Sequence, residues 1–187
     1  MYDDAHSPVR PPSVTPNERG LEGGLYTPAQ RARRDETVWT LVQGVLAPLQ
    51  FLICAISIAL IVRYLVTGEG LVWAHGSVLV KTAILYVIMV TGAIWEKVVF
   101  GQYLFAPAFY WEDMVSMAVL ALHTAYLVAL FGELLSPFAL MLLALAAYAA
   151  YVVNAVQFLL KLRAARLQHR SNDPPKELSS SSAEVVA

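Results

Sequence analysis

The chain predicts an all-α integral membrane protein: four transmembrane helices, with a disordered tail at each end. Three observations carry this. Of its 187 residues, 58% are hydrophobic and only 14% charged, outside the usual range for a soluble domain. Four apolar runs each approach the ~20 residues that a ~30 Å hydrocarbon slab requires. Basic residues gather before the first run (Arg31, Arg33, Arg34) and after the last (Lys161, Arg163, Arg166, Arg170). A nucleic-acid binder would carry them on a polar fold, so no nucleic-acid partner is expected.

Residues 1–25 are rich in Pro, Gly and charge without an apolar period. They cannot bury enough surface to offset the entropy of ordering, and a tail is expected. The acidic start lacks the apolar core of a signal peptide. Residues 26–168 form the four-helix membrane domain, and 169–187 a second tail. The first segment runs from about Trp39 to Leu65 and holds Pro48, with Gln43 and Gln50 on one face. It also holds Cys54, the one cysteine, which excludes an intrachain disulfide. The second runs from about Ser77 to Val99, after the break at Thr67-Gly68-Glu69-Gly70. The third runs from about Asp113 to Phe131. The fourth runs from about Pro137 to Leu162, where Ser136 suits an N-cap and Pro137 the first helical position. The basic clusters put both termini in the cytoplasm, as an even number of spans requires. The connection from Phe100 to Tyr110 is then cytoplasmic too.

That connection lies in the most unusual stretch, GAIWEKVVFGQYLFAPAFYWED (Gly92 to Asp113). It holds three carboxylates and a lysine among two tryptophans, two tyrosines and three phenylalanines. An ionisable group in a membrane helix is a functional candidate by default. Glu96, beside Trp95, is partly desolvated, and desolvation can hold a carboxyl as a proton donor. Lys97 reads equally as an interfacial residue. Glu112 and Asp113 open the third helix, where acids also complement the helix dipole. Ser116 and His123 share the face of Glu112, because eleven residues are three turns, within roughly 20°. Tyr151, Asn154, Phe158 and Lys161 form one stripe of the fourth helix. Lys81 and Arg63, near the outer ends, are expected to snorkel. Gln157 is expected to serve packing, and His75 to lie in the outer loop without a role.

No nucleotide-binding, zinc-protease or serine-elbow motif is present. An aromatic-lined mouth with acids suits a flat, amphipathic aromatic substrate entering from the membrane: the rings stack and the acids supply protons. A pigment-binding or scaffolding subunit would use the same helices without needing the acids. A transporter would carry its charges across the membrane instead of at one boundary.

WTLVQGVLAPLQFL (Trp39 to Leu52), YVIMVTGAIWEKVVFGQYLFAPAFYWEDMVSM (Tyr86 to Met117), LALHTAYL (Leu120 to Leu127) and MLLALAAYAAYVVNAVQFLLKLRAARL (Met141 to Leu167) carry a resemblance. Over roughly residues 25 to 168 the chain is similar to the 3-vinyl bacteriochlorophyllide hydratases of photosynthetic bacteria. LYTPAQRARRDETVWTLVQG resembles that family's usual start, and residues 1–24 depart from it. The resemblance implies addition of water to the C3 vinyl of chlorophyllide a or a related chlorin, giving a 1-hydroxyethyl group. It implies a bacterial inner or intracytoplasmic photosynthetic membrane, neighbouring pigment-synthesis enzymes as partners, and no cofactor beyond the magnesium of the substrate. On residue type and placement, Glu96 is the candidate acid, and Glu112 or Asp113 orients the water. His123 is a candidate ligand to the substrate magnesium, with water as the alternative. Trp95, Trp111, Tyr151 and Asn154 are candidates to line the ring, and Lys161 and Arg163 to bind its propionate.

Overall fold

The computed structural model describes residues 25–172. The expected tails therefore lie largely outside the described residues. The described residues form five helices and no strand: α1 (Pro28–Glu36), α2 (Val38–Thr67), α3 (Leu71–Phe100), α4 (Tyr110–Phe131) and α5 (Pro137–Asn172). The last four contain stretches long and apolar enough to cross a membrane, with α5 doing so over Pro137–Ala164.

Helix α1 was not among the expected elements, because PAQRARRDE has no apolar period. Its signal is local. Thr27 accepts from the Gln30 amide at 3.2 Å while Gln30 accepts from the Thr27 amide at 2.9 Å. This capping box, with proline at the first helical position, starts the helix. Helix α2 continues unbroken through Pro48 and ends at Gly68, whose φ of 75° closes the turn where a side chain would be strained. Helix α3 begins six residues before the expected Ser77. His75 is therefore helical, and its Nδ1 lies 2.6 Å from the Tyr126 hydroxyl on α4, which corrects its expected place in a loop. Ser136 caps α5 as expected, accepting from the Ala139 amide at 3.3 Å. That helix runs four residues past the expected boundary at 168.

The chain is apolar outside and polar inside. Leu41, Val66, Val72, Val90 and Phe131 are exposed, whereas Gln50, Ser57, Lys81, Thr82, Ser116 and His123 are buried. That inversion is what a hydrocarbon solvent selects, since a polar group facing lipid finds no partner.

Side-chain hydrogen bonds tie the helices into two antiparallel hairpins. Between α2 and α3 the Trp95 indole donates to Thr40 at 2.9 Å, Gln43 to Thr91 at 2.8 Å, Lys81 to Gln50, and Ser57 meets Ser77 at 2.7 Å. Position falls on α3 as it rises on α2, so the order is antiparallel. Between α4 and α5 the Lys161–Glu112, Asn154–Ser116 and Tyr148–His123 contacts follow the same rule. Each hairpin packs closely within itself, and the two touch each other more sparsely. A main bond across the seam is Ser57 to the Tyr148 hydroxyl at 2.7 Å. Ser57 thus pins α2, α3 and α5 together. Ser57→Ala leaves that buried hydroxyl short of a partner and should lower stability by about 1 kcal/mol. Reversible unfolding in mixed micelles measures it, and an unchanged midpoint would deny the serine this role.

Candidate active site

At the end of the bundle where α1 lies, Gly101 terminates α3 with a φ of 90°. The chain then folds back over residues 101–109. Phe105 within it has a φ of 59°, a left-handed conformation that a phenylalanine rarely adopts. The turn aims two successive amides inward. Phe105 N–H donates to Asp113 Oδ2 at 2.8 Å, and Ala106 N–H donates to Glu96 Oε2 at 3.3 Å. Glu96 and Asp113, 5% and 4% exposed, are thus drawn to neighbouring amides of one turn.

An aromatic wall encloses the pair. Phe109 is the hub: Trp95 and Phe100 meet it edge-on at 5.8 Å, and Phe158 of α5 stacks on it at 5.7 Å. Tyr26, which precedes α1, stacks on Phe100 at 5.7 Å and is itself buried. Beside the wall, Lys161 binds Glu112 at 2.6 Å and lies over the Phe109 ring. One turn on, Ser116 donates to the Glu112 carbonyl at 2.9 Å and accepts from Asn154 at 2.8 Å. Lys97 bonds the Gly101 carbonyl at 2.8 Å and serves the helix end.

Deeper in the bundle is a second polar group. Lys81 is wholly buried, which corrects the expectation that it snorkels. Its ammonium donates to Gln50 Oε1 and lies 3.6 Å from the centre of the Tyr151 ring. The physical reason is register: α3 starts earlier than expected, so Lys81 falls farther from the helix end, on the face turned to α2 and α5. A charged lysine at such depth costs about 3 kcal/mol on insertion scales, which a side-chain oxygen and a ring face offset in part. His123 donates from Nδ1 to the Val119 carbonyl at 2.8 Å, which fixes its tautomer and leaves Nε2 with a lone pair. Gln50 Nε2, His123 Nε2, Asn154 Oδ1 and Gln157 Oε1 are buried without a hydrogen-bond partner. The packing bond expected at Gln157 is therefore missing at its oxygen.

Of the residues expected to form the site, Glu96, Asp113, Glu112, Trp95, Lys161 and Asn154 come together. Tyr151 and His123 belong to the deeper group. Trp111 is 72% exposed on the outer surface, turned edge-on to Tyr110, and Arg163 is exposed. Both stand apart from the carboxyl pair. Sequence reasoning did not single out Tyr26, Phe109, the amides of Phe105 and Ala106, or Lys81 as part of a site. Only for Lys81, a charge inside an apolar run, was a signal there to be read.

The family described as 2-vinyl bacteriochlorophyllide hydratase (BCHF) matches residues 26–164. A Cereibacter sphaeroides protein named 2-vinyl bacteriochlorophyllide hydratase is 68% identical over 144 residues, covering 76% of this chain and 89% of its own. One of the same name from Rhodobacter capsulatus is 65% identical over 149 residues, covering 80% and 86%. No solved structure matches the chain. The match takes in Glu96, Asp113, the wall around them and the deeper polar group, and the chain belongs to the 2-vinyl bacteriochlorophyllide hydratase family.

Proposed function

We propose that the protein is a hydro-lyase of bacteriochlorophyll synthesis. It adds water to the vinyl group of chlorophyllide a or a related bacteriochlorophyllide and yields the 1-hydroxyethyl product. The relatives' names number the vinyl-bearing ring position 2; it is position 3 in the numbering used here. The observation that carries the chemistry is that the Phe105 and Ala106 amides hold the Asp113 and Glu96 carboxyl groups together in a buried place, where two like charges repel and one shared proton relieves them. A non-catalytic pigment-binding subunit has no use for a proton held there.

The pair gives its proton to the terminal vinyl carbon, and the adjacent carbon becomes a cation delocalised into the macrocycle. Two carboxylates, held by the Phe105 and Ala106 amides, then face that cation and stabilise it. Water adds to the cationic carbon, and its released proton returns to the pair. One water is consumed and the pair is restored. Glu112, fixed by Lys161, orients the water. Trp95 and Phe109 offer faces to the ring. Arg163 at the rim attracts the anionic substrate. Hydration changes no net oxidation state, so the reaction calls for no redox cofactor, and the magnesium is part of the substrate. His123 lies ten residues beyond Asp113 on α4, about 15 Å along the axis. That exceeds the distance from the metal to the vinyl in a chlorin, so His123 would not reach the magnesium of a ring reacting at the pair.

Three measurements test this reading. Incubation with chlorophyllide a in H₂¹⁸O should give a labelled hydroxyethyl product by mass spectrometry; folded protein that yields none would leave only pigment binding. Glu96→Gln keeps a partner for Asp113 but removes the shared proton, so turnover should fall by about 10²-fold or more with folding intact. Near wild-type turnover would take the acid away from this pair. The basic residues before α2 and near the end of α5 support cytoplasmic termini. A cysteine at Glu69 should then react with an impermeant thiol reagent from the periplasmic side, and one at Tyr103 should not. The opposite pattern would invert the site.

A further inference from the structure

The deeper polar group has no part in the proton transfer just described. Lys81 and Gln50 are fully buried, yet donors remain unused there: Gln50 Nε2 has no partner, and the Lys81 ammonium meets one oxygen and one ring face. The described ion pairs are Arg34–Asp35, Arg63–Glu69 and Lys161–Glu112, so no carboxylate among them neutralises Lys81. The titratable groups near enough to feel its charge are the Cys54 thiol and His123, neither of which is a carboxylate. A buried cation flanked by a free N–H donor is a site for an oxygen anion.

Its distance from the carboxyl pair is fixed twice over. On α2, Thr40 bonds Trp95 beside Glu96, and Gln50 lies ten residues on, about 15 Å along the helix. On α5, Lys161 bonds Glu112 beside Asp113, and Tyr151 under Lys81 lies ten residues away, again about 15 Å. The two hairpins therefore agree on the span. In a chlorophyllide the propionate hangs from the ring next to the vinyl-bearing one, and its chain carries the carboxylate out beyond the macrocycle edge. That edge and the extended chain, with a hydrogen bond of ~2.9 Å at each end, cover such a distance. We propose that Lys81 and Gln50 form the subsite for the propionate carboxylate, so that the substrate is fixed at both edges, with its vinyl at the Glu96–Asp113 pair. This rests on the hydratase reading above. Lys161, already spent on Glu112, is freed from that duty, and the His123 Nε2 lone pair, an acceptor, does not compete for the anion.

The test is a cycle of two proteins and two substrates: wild type and Lys81→Met, each with chlorophyllide a and its propionate methyl ester, compared by kcat/KM in detergent. Wild type should favour the free acid by about 10²-fold. Lys81→Met should lose that preference while still hydrating the ester. Gln50→Glu supplies an internal counter-ion, keeps the fold if Lys81→Met does not, and should also abolish the preference. An equal loss on both substrates, or no loss on either, overturns the subsite. A third substrate with the ring ketone reduced separates the ketone from the carboxylate: coupling of Lys81 to the ketone instead overturns the assignment. Wild type inactive on every substrate would overturn the hydratase reading itself.

Discussion

Hydrocarbon offers no hydrogen bonds, and that constraint orders everything in this fold. Each carboxylate, amide and ammonium within the spans must find its partner inside the bundle or do without. The result is two polar centres on the helix axes, one at the end bearing α1 and one deeper, with apolar side chains turned outward. The same exclusion would keep the proton that the proposed mechanism puts on the Glu96–Asp113 pair. Between two carboxyl groups in water it would be lost, whereas behind Phe109, Trp95 and Tyr26 there is little solvent to take it. Dryness thus shapes both the architecture and the acid.

The acid also depends on backbone. A loop of ordinary shape would leave Glu96 and Asp113 facing each other with nothing to hold them. The left-handed turn at Phe105 brings in two amides, one for each carboxyl. Strain of this kind persists only where the surroundings fix it, and here the stacked rings on either side do so. The conformation is retained for what its N–H groups touch.

The spans were legible because periodicity and length are one-dimensional signals, and hydrophobic runs of this size have few other meanings. The burial of Glu96, Glu112 and Asp113 at one end of the bundle was legible for a similar reason: charge in an apolar setting stands out. Pairing was not. That one turn holds both Glu96 and Asp113, while Glu112 is claimed by Lys161 instead, depends on how helices meet within and between the hairpins, and no local pattern encodes it. The start of α3 was set six residues late, at Ser77 instead of Leu71, and that error carried Lys81 to the membrane surface and His75 into a loop. Trp111 neighbours Glu112 in sequence, but successive helical residues point about 100° apart, and Trp111 faces outward while Glu112 is buried. Helix α1 escaped because its determinant is a reciprocal cap rather than a hydrophobic stripe.

The division into two hairpins bears on biogenesis. Each can enter the bilayer as a self-satisfied pair, with Gln43, Gln50, Ser77 and Thr91 bonded within the first and Ser116, Asn154 and Lys161 within the second. Glu96 rides on one unit and Asp113 on the other. A newly inserted chain therefore has helices but no proton-sharing pair until the units dock and the 101–109 segment folds between them. Competence is a property of the finished assembly, and the chain passes through insertion with its acid still dismantled.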